Sequence, residues 1–133
     1  MNKKKCIIDK YNTVYEFDLF VIINPDKSVI DKRFSFKDDT SIIDDKWTSY
    51  TAYTVSGAYD KEANKDCEII VINQTKDLDY DINTCAHESF HAAFDVLSTC
   101  GIKLTEDTNE VFAYLIGYFT ECIFKTAKKG WAS

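Results

Sequence analysis

An α+β fold, with a mixed or antiparallel β-sheet drawn from the first half of the chain and two long α-helices from the second, is what this 133-residue sequence predicts. Three observations carry that expectation. Before residue 73 the apolar residues alternate with polar ones or gather in short β-branched runs, and after residue 80 they recur at three- and four-residue intervals. Turn-forming residues separate the runs, with one proline and four glycines in the whole chain. Period two marks a strand with one buried face, and period 3.6 marks an amphipathic helix.

Tyr15, Phe17, Leu19, Val21 and Ile23 alternate with Glu16 and Asp18 and stop at Asn24-Pro25-Asp26-Lys27, a set of turn formers. Val29 to Phe36 is expected to return as the hairpin partner of that strand. Lys37 to Lys46 is polar and predicts a loop, anchored by Ile42, Ile43 and Trp47. Tyr50 to Tyr59, rich in Thr, Tyr and Val, predicts another strand with Gly57 at a bulge. After the polar stretch Asp60 to Asp66, the run Cys67-Glu68-Ile69-Ile70-Val71-Ile72 is short and almost entirely apolar, the pattern of a central strand covered on both faces. Four or five strands are expected.

The period changes from about Asp81 to Cys100, where Ile82, Ala86, Ala93, Leu97 and Cys100 form one stripe and Gly101 is a natural stop. Thr84, His87, His91, Asp95 and Ser98 project to the opposite side. A second helix, from about Thr105 to Lys128, opens with Thr105, Glu106 and Asp107, as its N-terminal dipole favours. Phe112, Ile116, Phe119 and Ile123 share one of its faces; Glu110, Tyr114, Gly117 and Glu121 share another.

The length fits one domain spanning residues 1–133, and 45% hydrophobic residues support a packed core. The net charge of −6 and the absence of a basic stripe argue against nucleic-acid binding. Lys3, Lys4 and Lys5 suit a solvated tail, and Lys125, Lys128 and Lys129 suit the C-terminal end of a helix. Five cysteines, an odd number without a CxxC pair, suggest neither a disulfide framework nor a thiolate zinc knuckle. Without a signal-like or membrane-spanning run, a cytoplasmic protein with no membrane partner is expected.

His87 and His91 are the only histidines. They stand four apart with Glu88 after the first, giving the string His87-Glu88-Ser89-Phe90-His91. One helical turn brings both imidazoles to the same face, where two nitrogens can bind Zn²⁺ at about 2.0–2.1 Å. A catalytic zinc needs a third protein ligand and an open fourth position. Eighteen residues, 92 to 109, separate His91 from Glu110.

HExxH followed after eighteen residues by a glutamate on the next helix resembles the gluzincin arrangement of zincin metallopeptidases. Asn109-Glu110-Val111-Phe112-Ala113-Tyr114 is similar to the NE-x-F-A-x-Y segment of gluzincin aminopeptidases, with the tyrosine offset by one position. The stretch from Thr84 to Tyr118 also resembles small zincin-like proteins of phages and bacterial mobile elements, so a phage origin is an expectation too. The resemblance covers about a quarter of the chain. It implies a minimal zincin-like fold with one Zn²⁺ per chain held by His87, His91 and Glu110. It also implies peptide or protein hydrolysis, with Glu88 as the general base toward a zinc-bound water. Tyr114, or Tyr118 a turn later, is the candidate to stabilise the oxyanion.

Asp95, one turn past His91, competes as a ligand, but three ligands along one helix surround an ion poorly; it suits a supporting or solvent-facing role better. Glu121 stands about 16 Å along the axis from Glu110, so Glu106, Glu110 and Glu121 cannot all serve one metal. Large gluzincins close the cleft with a second subdomain, for which nothing after Trp131 remains. The expectation is an open site, with substrate along an edge strand at Tyr50 to Ala58 or with a partner chain completing the cleft. The alternative is a non-catalytic zinc-binding structural or host-interaction protein that retains the zincin fold; Glu88 favours chemistry, since structural zinc has no use for a base.

Overall fold

The computed structural model describes residues 4–43, 51–75 and 77–131. Five strands form a single mixed sheet: β1 (Ile7–Tyr11), β2 (Asp18–Ile23), β3 (Phe34–Phe36), β4 (Ala52–Asp60) and β5 (Lys65–Ile72). Their spatial order is β1-β2-β5-β4-β3, with β2 and β5 parallel and every other neighbouring pair antiparallel. The described residues also form three helices: α1 (Lys27–Arg33), α2 (Leu78–Thr99) and α3 (Asn109–Trp131). None of the described helices is long and apolar enough to cross a membrane.

The sheet is covered on both faces. Leu19, Val21, Ile23, Ile70 and Ile72 face α2 and α3, whereas Phe20, Ile22, Cys67, Ile69 and Val71 face Ile30 of α1 together with Ile42 and Ile43. Two-sided burial explains why β2 is buried at all six positions and why β5 is nearly all apolar, as a central strand requires.

The expected bulge is present. Val55 pairs with Ile69 and Ala58 with Cys67, so Ser56 and Gly57 together oppose Glu68, and Gly57 takes a positive φ of 74° that a side chain would resist. Trp47, the expected anchor beside Ile42 and Ile43, and Tyr50, the expected start of β4, lie outside the described residues.

Val29 to Phe36 is not the hairpin partner of β2. Asp26 caps a short helix there by accepting a hydrogen bond from the Ser28 amide at 3.1 Å, Lys27 and Asp31 pair one turn apart at 2.6 Å, and Ile30 is buried. Only Phe34–Phe36 is extended, and it pairs with Ala58–Asp60 at the far edge of the sheet. The antiparallel neighbour of β2 is instead β1, whose Ile7-Ile8-Asp9-Lys10-Tyr11 shows weak alternation.

The buried stripe of α2 is rotated from the expected one. Cys85, Glu88, Ser89, Ala92, Ala93, Val96 and Leu97 face inward, while Ile82, Ala86 and Cys100 are exposed. The periodicity had two overlapping apolar sets, and contact with both β4 and α3 selected the set that includes Glu88. The expected faces of α3 hold for Phe112, Phe119 and Ile123, with Leu115 and Cys122 also buried; its helix begins at Asn109 rather than Thr105.

Candidate functional site

Two anchors place α2. Asp77 caps its start by accepting from the Tyr80 amide at 3.2 Å. Asp81, fully buried, receives the Thr75 amide and hydroxyl and the Trp131 indole N–H at 3.2 Å. The two helices run antiparallel: the Ser89 and Thr120 hydroxyls are 2.8 Å apart, and the Phe94 and Phe112 rings lie 6.2 Å apart between centroids.

His87 and His91 are both exposed on the flank of α2 that faces β4, with their Nε2 atoms 3.1 Å apart. Two nitrogens bound to one tetrahedral ion at 2.0–2.1 Å stand about 3.3 Å apart, so the pair is set at close to ligating separation. Glu88 turns inward between them. Only 6% of it is exposed, and the Thr54 hydroxyl of β4 donates to its Oε2 at 2.8 Å. Glu88 thereby borders two depressions, one shared with His87, Thr51 and Ala52 and the other with His91, Ser56 and Asp95. A carboxylate held by a single hydroxyl keeps lone pairs for a further donor.

Glu110 does not join the histidines. Helix α2 continues eight residues past His91 before the chain turns, so the first turn of α3 returns at about the level of Val96. At 1.5 Å per residue the two helix contacts leave Glu110 about 7–12 Å from His91 and about 13–18 Å from His87 along the axis. Among the described residues no three His, Cys, Asp or Glu side chains converge in a group suited to a metal. The donor chemistry and spacing of the pair fit zinc, but the expected set of three is not assembled.

Tyr114 and Tyr118 lie elsewhere. Tyr114 is 75% exposed, and both tyrosines border an apolar depression with residues 12–15 on the β1–β2 connection. The Tyr118 hydroxyl donates to the Asn12 carbonyl at 2.7 Å. Glu121 pairs with Lys125 at 3.6 Å on the exposed side of α3.

Two residues of the flank went unmarked in the sequence. Thr54 carries no motif, since its role depends on the register between β4 and α2. Glu68 did carry a signal, as the one charge in the apolar run 67–72. It is 4% exposed, and its carboxyl faces that of Asp95 on α2. Burial, with the Asp95 carboxyl beside it, pushes the Glu68 pKa up to about 11, so Glu68 holds its proton at neutral pH.

No protein-family model, no curated protein and no solved structure matches this chain.

Proposed function

We propose that this chain is a zinc-dependent hydrolase of peptide bonds, in which His87 and His91 hold the metal and Glu88 moves the proton. The observation that carries the proposal is the exposed Nε2 pair at 3.1 Å with the Glu88 carboxylate oriented beside it by Thr54. The HExxH resemblance supports the same assignment. Zinc, when held there, would supply Lewis-acid polarisation of a substrate carbonyl and of water. Glu88 accepts the proton released as water attacks and delivers it to the departing amine, so it ends the cycle ionised again.

Glu110 is the third donor proposed from the sequence, and it requires the start of α3 to close on the pair. Zinc affinity of Glu110→Gln measures this. A fall of tenfold or more includes Glu110 in the set; unchanged affinity assigns the remaining positions to water or a second chain. The central experiment is metal analysis of protein purified without added zinc, alongside His87→Ala and His91→Ala. About one zinc per chain, lost in both variants, is expected; far less than one zinc, with no rise in melting temperature on adding zinc, refutes the proposal.

The non-catalytic alternative is favoured by one observation: two protein ligands alone leave zinc undersupplied. A zinc shared between two chains would satisfy the ion without chemistry. Zinc-dependent dimerisation, with metal content unchanged in Glu88→Gln and no peptidase activity in the parent, distinguishes it.

A further inference from the structure

Glu68 is out of place in its surroundings. It stands on the helix-facing side of a central strand next to Ile70 and Ile72, its Oε2 is buried, and no hydrogen-bond donor reaches that atom among the described residues. A buried polar atom without a partner is unfavourable, and the group with which the Glu68 carboxyl shares a hydrogen bond, Asp95, is another acid.

The surroundings open toward Glu68. The bulge sets Ser56 and Gly57 opposite it, and a Cβ added at Gly57 would meet nothing within 4 Å. A depression of 300 Å³ above the bulge is bordered by Glu68, Ser56, Gly57 and Thr99. Asp95 borders the adjoining depression with His91 and Glu88, and Ser56 belongs to both. From Thr54, which holds Glu88, to Ser56 is about 7 Å along the strand. The nearby cation Lys37 is already paired at the outer rim with Asp66, at 3.3 Å.

We infer that Glu68 and Asp95 form an acceptor site for a cationic side chain, best matched by the guanidinium of an arginine, next to the His87–Glu88–His91 flank. Three features point to this ligand chemistry. Glu68 Oε2 lacks a donor, and a guanidinium brings five in a planar fork. Two carboxyls fall well short of the six to eight oxygens that calcium takes and do not outline an octahedral magnesium site. A guanidinium can also take the place of the proton that Glu68 shares with Asp95, that proton leaving to solvent as the cation enters. The substrate class that follows, peptides with arginine beside the bond to be cleaved, rests on the proposed hydrolase function; the acceptor site itself does not.

The test is calorimetric titration of the metal-free full chain with Nα-acetyl-arginine methylamide and with the norleucine analogue. Saturable binding of the arginine probe alone is expected, weakened at least tenfold in Asp95→Asn and in Glu68→Gln. No binding, equal binding of both probes, or binding unchanged in both variants overturns the site. Asp95 is only half-buried on α2, so Asp95→Asn tests the site independently of any change in stability at Glu68. Zinc content of the protein as purified, measured before the metal is removed, separates the two ideas. Arginine binding without zinc refutes the hydrolase and leaves the site standing, whereas zinc without arginine binding does the reverse.

Discussion

Replacing Glu68 by glutamine should make the protein more stable, and increasingly so as pH rises. The side chain has almost no contact with water and faces Asp95 from α2; the other charged groups near its depression are Lys37 and Asp66. In the unfolded chain it ionises near its ordinary value of 4.5, while in the folded protein it keeps its proton to about 11. The folded state therefore binds more protons throughout that window, and stability falls with pH by at most about 1.4 kcal/mol per pH unit. Below pH 4.5 both states are protonated and the penalty vanishes. Glutamine keeps the shape and still donates to Asp95, but it has no charge to suppress. Between pH 5 and 7.5 the gap between Glu68→Gln and the parent should widen by about 3 kcal/mol. With a urea slope of roughly 1.5–2 kcal/mol per M for a chain of this size, that is about 1.5–2 M in midpoint. Urea unfolding of both proteins at pH 5, 6.5 and 7.5 measures it. Parallel pH profiles, or a parent more stable at pH 7.5, would refute the assignment of a buried, protonated Glu68.

A Cβ at Gly130 would collide with the Gln74 amide oxygen and approach its Cδ to 2.9 Å; Gln74 is itself buried and donates to the Ala127 carbonyl at 2.9 Å. Gly130→Ala is therefore expected to cost about 1–3 kcal/mol in thermal or urea unfolding. Asp26→Ala removes the cap of α1 and should cost about 1 kcal/mol, read as a lower urea midpoint with unchanged slope. Burial pushes the thiols of Cys67 and Cys85 up to about 12 and that of Cys122 to about 11. At pH 8 these three should react with a disulfide reagent only in denaturant, while the exposed Cys100 reacts in the native protein.

Local patterns were legible where the structure is local. The spacing of His87 and His91 is a property of one helical turn, so their convergence followed from sequence, as did β5, the two long helices and the Gly57 bulge. Val29 and Ile30 favour a strand where α1 forms, and the Asp26 cap is the local signal for the helix. Strand β1 leaves little mark in the sequence because Asp9 and Lys10 interrupt its apolar residues, although Ile7 and Tyr11 pack on the helix side of the sheet and Ile8 on the other. The distance between Glu110 and the histidines depends on how far α2 runs before it turns. No motif encodes that: eighteen residues can be spent on more helix or on more loop. Glu68 and Asp95 are 27 positions apart and meet only when α2 lies across the sheet.

The order of the strands also bears on how the molecule folds. Strands β4 and β5 are joined by the four residues 61–64, and α2 follows a few residues later, so Thr54, Glu68, Glu88 and Asp95 all lie on a contiguous stretch that can close early. The parallel pairing of β2 with β5 instead joins Asp18 to Cys67 across 49 positions, and such distant closure is slow. Substitutions in the interior of β2 should therefore act mainly on the rate of unfolding, and those in the β4–β5 hairpin on the rate of folding. The flank that carries the proposed chemistry belongs to the part of the chain with the shortest loops to close.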